Sequence, residues 1–154
     1  CEGAVVVAGE PGVAEPFVHT LRVRYGECDP QSVVFNAHYL AYVDDTITEL
    51  WRAAFGGYEQ MLERGVDIVV AEANLRFRGA ARFDEVLTIE ATIAHLGTTS
   101  LGTSYRFLRD GELLLEAEMR HVFVTLGTAE KTPIPDWARA GLAPWAAPAA
   151  CAGY

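Results

Sequence analysis

The stretch that decides the fold is YGECDPQSVVFNAHYLAYVDDTITELW, residues 25–51, because two periodicities meet in it. Just upstream, FVHTLRVRY alternates. Phe17, His19, Leu21, Val23 and Tyr25 fall on one face and Arg22 and Arg24 on the other, which predicts a half-buried strand. From Ala37 to Phe55 the period changes. Tyr39, Val43, Ile47, Leu50 and Ala54 recur at helical spacing, with Asp44, Asp45, Thr48, Glu49 and Arg52 on the remaining surface. Gly56-Gly57 predicts the stop of that helix. Between strand and helix lies a tight turn that holds an acid, Asp29, beside Pro30.

Nearly everything downstream reads as strand. VDIVVAEANLRFRG sets Val69, Ala71, Ala73, Leu75 and Phe77 against Val70, Glu72, Asn74, Arg76 and Arg78. FDEVLTIEATIAHLG places Leu87, Ile89, Ala91, Ile93 and His95 together. TSLGTSYRFLRDGELLLEAEMRHVFVTL is two strands joined at Asp110-Gly111, a pair suited to a type I′ hairpin, with Leu113, Leu115, Ala117, Met119, His121 and Phe123 facing inward. After Lys131 the sequence offers a short helix at most. The expected organisation is a tail over 1–16, one α+β domain over 17–142, and an Ala/Pro-rich tail over 143–154. One long helix against about five antiparallel strands leaves a sheet face and two edges needing cover, so a homo-oligomer is expected.

Composition narrows the function. The net charge of −9 argues against nucleic-acid binding, which needs a basic surface. No apolar run approaches the length of a membrane span. The opening CEGAVVVAGEPGVAEP has no basic region ahead of a long apolar stretch, and reads as a flexible leader or trimmed end rather than a signal peptide. Three cysteines, two of them in the tails, predict no disulfide framework, a reducing compartment and a cytoplasmic location.

Helix starts present unpaired N–H groups and a partial positive charge, which can hold a carbonyl oxygen as it becomes an oxyanion. A carboxylate beside them can attack the carbonyl or activate a water, so Asp29 ahead of this helix points to acyl transfer. An Asp in such a place commonly serves only as a cap, but Asp29 lies too far ahead of Ala37 for that. Glu72, which interrupts an apolar strand, and Glu49 on the helix are the other carboxylates to weigh. Cys28 has no paired histidine at a telling spacing and reads as a small buried filler. His95 and His121, on apolar strand faces, read as core or interface histidines. Asp44, Asp45, Thr48 and Glu49 have no Cys/His ligand set beside them, so no metal is expected.

RVRYGECDPQSVVFNAHYLAYVDD resembles the opening of the 4-hydroxybenzoyl-CoA thioesterase family. RFRGAARFDEVLTIEATI and KTPIPDWARAGL resemble its later segments, so the similarity covers about residues 17–142. It implies a hotdog fold, in which one long central helix is wrapped by a curved antiparallel sheet, and cleavage of an acyl-CoA without a cofactor. The same resemblance implies a dimer or a tetramer of hotdog subunits. Asp29 matches the family's catalytic carboxylate, and Asn36 the position whose backbone N–H polarises the thioester carbonyl. His38 and Asn36 stand exchanged relative to the common pattern, so that NAHY replaces HANY, and Ser32 replaces a glycine common in the turn. Val34, Phe35 and Tyr39 would face the substrate, with Glu72 a further contact. Arg76, Arg78 and Arg82 suit the CoA phosphates through their forked donors. A hotdog hydratase would carry a histidine five residues after the acid, where this chain has Val34. A non-catalytic binder of acyl-CoA or of an acyl carrier protein is the alternative.

Overall fold

The computed structural model describes residues 15–146. The leader expected over 1–16 and the tail over 143–154 lie outside that range, except for residues 15–16 and 143–146. The described elements, in chain order, are β1 (Phe17–Arg22), α1 (His38–Phe55), α2 (Tyr58–Glu63), β2 (Val66–Phe77), β3 (Val86–Leu96), β4 (Ser100–Arg109), β5 (Glu112–Thr125) and α3 (Asp136–Leu142). The strands form one curved antiparallel sheet in the order β1-β3-β4-β5-β2.

The β4–β5 hairpin follows from its turn residues. Asp110 and Gly111 sit at φ 49° and 81°, the left-handed pair a type I′ turn requires. Helix α1 lies on one sheet face and buries Tyr39, Tyr42, Val43, Ile47, Leu50, Trp51 and Phe55. Edge contacts of Tyr39 with Phe107 and of Trp51 with His121 pin it to β4 and β5. Gly56, at φ 89°, ends the helix and donates its N–H to the Arg52 carbonyl. The helical layer is not one helix alone, however. Met61 of α2 and Ala138 and Leu142 of α3 are fully buried, and Trp137 packs edge-on against Phe55.

Three expectations about faces need correction. Tyr25 does not continue the β1 face: the strand ends at Arg22, and Tyr25 enters a 3-10 turn, 80% exposed. His95 leaves the apolar face of β3, because the register shifts between Ile93 and His95 and Leu96 takes the buried place. Strand β2 is exposed along most of both faces, since it stands at the sheet edge with only β5 beside it. Packing also extends past 142. Ala143–Trp145 form a 3-10 turn, Trp145 meets Phe17 edge-on, and Ala146 bridges to Ile93.

Candidate active site

Residues 23–38 carry the chain from β1 to α1, and the loop between β2 and β3 holds them by backbone bonds. Val23 N–H donates to the Glu85 carbonyl at 2.9 Å, and Asp84 N–H returns a bond to the Val23 carbonyl at 3.0 Å. Val33 bridges Arg82, and Val34 N–H donates to the Ala81 carbonyl at 2.8 Å. The Tyr39 hydroxyl accepts the Ala81 N–H at 3.0 Å. Arg109 fastens the same loop from β4, donating to the Ala80 carbonyl and to the Glu85 carboxylate.

Asp29 stands at the mouth of a tight loop on this platform. Cys28 pairs with Val34, Asp29 N–H donates to the Val33 carbonyl at 2.9 Å, and Ser32 N–H donates to the Asp29 carbonyl at 2.9 Å. Oδ1 of Asp29 accepts the Gln31 N–H at 2.8 Å, an Asx turn. Nothing else among the described residues bonds the carboxylate, which is half-buried. Asp29 therefore caps no helix. Ser32 sits at φ 65°, a left-handed conformation that favours glycine, which gives a physical reason for the glycine of the common pattern.

Five residues after Val33 the chain enters α1. The N–H of Phe35 is taken by the Glu27 carbonyl at 3.0 Å and that of Val34 by Ala81, so neither is free for a ligand. The N–H groups of Asn36 and Ala37 meet no acceptor among the described residues. His38 begins the helix half-buried, with its ring edge-on to the exposed Phe35. The loop thus brings Asp29 and Asn36 onto adjoining stretches of one backbone frame.

An acid that the sequence pattern does not flag holds this frame in place. Glu27 is only 9% exposed. Its Oε1 accepts the Arg24 N–H at 2.7 Å and the Tyr42 hydroxyl at 2.9 Å, and Oε2 takes the Arg24 guanidinium at 3.0 Å. Burial pushes the carboxyl up, but these donors outweigh it and hold Glu27 below its ordinary value. Burial and the adjacent Glu27 in turn push the Tyr42 hydroxyl well up, so it stays a donor. The only signal in the sequence was the three-residue spacing of Arg24 and Glu27.

The remaining candidates separate. Val34 and Tyr39 are buried in the core, with the Tyr39 hydroxyl already engaged, so they support the site from below instead of facing a ligand. Glu72 lies opposite Arg120 on β5 and pairs with it at 3.4 Å, and Arg76 lies opposite Glu116. Both share a sheet face with Ser104 and Glu118, whereas their neighbours Leu75 and Phe77 turn toward α1. Arg78 pairs with Glu116 at 3.3 Å. Only Arg82, which faces Val33, reaches the Asp29 loop, and its exposed guanidinium has no partner among the described residues. Glu49 pairs with Arg52 on the helix surface, and Cys28 is a half-buried free thiol.

An apolar groove of about 450 Å³, also unforeseen, opens beside the helix start. It runs along α1 past Ala37, Leu40, Ala41, Asp44 and Ile47 and is walled by Val70 of β2 and by Met119 and His121 of β5.

A model of the thioesterase-like superfamily matches residues 23–142. This chain belongs to that superfamily. The acyl-CoA thioester hydrolase YbgC of Escherichia coli is 30% identical over 105 residues, which span 68% of this chain and 78% of the relative. A Thermus thermophilus protein of solved structure superposes with a TM-score of 0.76 at 32% identity, covering 83% of this chain and 98% of that one. A Staphylococcus aureus protein solved in complex with CoA shares the fold, with a TM-score of 0.80 at 15% identity over 86% of this chain and 85% of its own. Among the described residues of this superfamily member, no helix is long and apolar enough to cross a membrane.

Proposed function

We propose that this protein hydrolyses an acyl-CoA thioester to the free acid and CoA, with Asp29 as the reacting carboxylate. One observation carries the reading. A carboxylate with a single turn bond stands on the same backbone frame as a helix start whose Asn36 and Ala37 N–H groups are unpaired among the described residues. The name of the E. coli relative, an acyl-CoA thioester hydrolase, and the CoA bound by the S. aureus neighbour support the substrate class.

In this chemistry the Asn36 N–H, with that of Ala37 beside it, meets the carbonyl oxygen as negative charge builds there, which lowers the barrier by about 3 kcal/mol. Asp29 then serves in one of two ways. It takes a proton from a water that adds to the carbonyl carbon, or its own oxygen adds and forms a mixed anhydride that water later opens. In both, the carbon–sulfur bond breaks and CoA departs as a thiolate, which needs little protonation. Arg82, which alone of the three arginines reaches the Asp29 loop, would meet the CoA phosphates.

A second copy of this chain would cover β2. That strand leaves one edge unpaired and shows Val69, Val70 and Phe77 to solvent, a long apolar edge that isolated proteins avoid. A dimer of such dimers would bury the outer sheet face.

The test is thiol release across benzoyl-, phenylacetyl-, short-chain and long-chain acyl-CoAs, with wild type beside Asp29→Ala. Activity should fall at least about a hundredfold. Stability should change by less than about 1 kcal/mol, because only an exposed turn bond is lost. Full activity in Asp29→Ala would refute the assignment. Absence of release from every thioester, with CoA analogues still raising the melting temperature, would make the protein a binding module.

A further inference from the structure

Two aromatic rings stand open to solvent where the β2–β3 loop meets the turn after β1. Phe83 is 55% exposed and Tyr25 80%, and they meet edge to face with centroids 5.8 Å apart. A single exposed ring is ordinary, but this pair is held out by a backbone with little freedom. Glu85 N–H donates to the Arg82 carbonyl at 3.3 Å, closing a turn that carries Phe83, with Asp84 at φ 68°. The Arg22 guanidinium donates to the Asp84 carbonyl at 2.7 Å, and Val23 bonds the backbone of both Asp84 and Glu85. Tyr25 opens a 3-10 turn, and its carbonyl accepts the Cys28 N–H at 3.2 Å. With both backbones fixed, the places where the rings emerge are set before any ligand arrives.

The arginines beside the pair are balanced except one. Arg22 pairs with Asp84 and Arg24 with Glu27, whereas the exposed guanidinium of Arg82, next to Phe83 in the chain, has no partner among the described residues. In a chain of net charge −9, an uncompensated arginine beside two open rings suits a ligand that joins phosphate to a planar base. We propose that Tyr25 and Phe83 receive the adenine ring of CoA, stacked on Phe83 with Tyr25 as a perpendicular wall, while Arg82 holds the adjoining phosphates. The proposal rests on the acyl-CoA reading, because stacking accepts any base and CoA supplies the adenine. Continuity with the Asp29 loop supports it. Val33 bridges Arg82 and its carbonyl accepts the Asp29 N–H, so two strand spacings, roughly 10 Å, separate the backbones of Arg82 and Asp29. The arginine stem and the pantetheine arm would connect phosphate to thioester across that interval, with the base carried on toward Phe83.

The experiment compares wild type with Phe83→Ala, Tyr25→Ala and the conservative Tyr25→Phe, all at exposed positions that leave the core untouched. The first readout is kcat/KM for an acyl-CoA divided by kcat/KM for the same acyl group on pantetheine, which lacks the nucleotide. That ratio should fall about tenfold in Phe83→Ala, the size of one base stacked on a ring, and about threefold in Tyr25→Ala. The loss should lie in KM, because the nucleotide contact is the same in ground and transition states. Tyr25→Phe should keep the wild-type ratio. Binding is read separately from hydrolysis, with etheno-CoA, whose fluorescent base is quenched when it stacks. Quenching should occur in wild type and Tyr25→Phe and be lost in Phe83→Ala. If no thioester is cleaved but this quenching pattern holds, the hydrolase reading fails and the adenine assignment stands. If acyl-CoA is cleaved while ratio and quenching are alike in wild type and Phe83→Ala, the adenine assignment is overturned and the hydrolase reading stands. Absence of etheno-CoA quenching in wild type overturns it too. So does a change of oligomeric state in Phe83→Ala with quenching intact, which would make the pair a contact between copies of the chain.

Discussion

Acid should destabilise this protein through His121 over a pH range in which few other groups titrate. Burial lowers the imidazole from its ordinary 6.5 to about 4 in the folded chain. Above pH 6.5 the ring is neutral in both states, and folding carries no penalty. As pH falls below 6.5 the unfolded chain takes up the proton first, and stability drops until the folded ring also protonates near pH 4. The direction follows from linkage: the unfolded state binds more protons in this window, so stability rises with pH. A gap of about 2.5 units at ~1.4 kcal/mol each gives a total loss of about 3.5 kcal/mol, of which ~1.4 kcal/mol should already be gone at pH 5.5. Asp44 lines the same groove and is exposed, so its charge offsets little of this. Urea unfolding of wild type and His121→Phe at pH 7.5, 5.5 and 4.5 is the assay. The difference between the two proteins should grow in favour of the variant as pH falls, which separates His121 from the carboxylates common to both. Parallel pH profiles would refute the reasoning.

Tyr42→Phe should cost about 1–3 kcal/mol at pH 7, because it leaves the buried Glu27 carboxylate one donor short. Glu27 is held below its ordinary value, so the stability it supplies is present above pH 4.5 and lost as pH falls. The cost of Tyr42→Phe, measured by urea unfolding, should therefore shrink at pH 3. Ser32→Gly should stabilise by about 0.5 kcal/mol, since release of a left-handed serine outweighs the added chain entropy of glycine. Equal urea midpoints for variant and wild type would count against strain in the turn. Arg82→Ala should raise KM for acyl-CoA about three- to tenfold with little change in kcat, and leave an acyl-pantetheine substrate, which lacks the phosphates, unaffected. Equal effects on the two substrates would move the phosphate contact elsewhere.

What the sequence made legible depends on how local the physical cause is. Asp110-Gly111 announced its hairpin because positive φ at two successive positions is a demand met within the turn. The α1 stripe was legible because burial along a helix repeats every three or four residues, and the Asp29 turn because its residues are contiguous. The slip between Ile93 and His95 was not, since one inserted residue leaves the alternation intact on paper while moving every later side chain to the other face. Leu114, fully buried at the register shift between Leu113, which faces Leu108, and Leu115, which faces Phe107, escaped in the same way. The exposure of β2 was hidden too, because alternation shows which residues share a face and not whether anything covers it. Glu27 was missed for another reason. An acid beside a turn reads as solvated, and its partner Tyr42 lies fifteen residues away on a helix. The groove draws its walls from α1, β2 and β5, and existed in no single stretch of sequence.

Two carboxylates two residues apart show how this junction divides its work. Glu27 spends both oxygens on Arg24 and Tyr42, and its carbonyl on Phe35, so it ties the turn to the helix. Replacing it would disturb the frame before any chemistry could be measured. Asp29 spends one oxygen on a neighbouring amide in a half-exposed turn and contributes little to the fold. Its backbone, by contrast, is fixed at both N–H and carbonyl, by Val33 and Ser32. A side chain with low structural duty on a backbone held that firmly is oriented without being consumed, as a reacting group must be. The same contrast recurs at the helix start, where Val34 and Phe35 give their N–H groups to the frame and Asn36 keeps its own. The frame absorbs the groups that hold it together, and among those it leaves over are a carboxylate and two N–H donors, the groups that the proposed cleavage of a thioester would use.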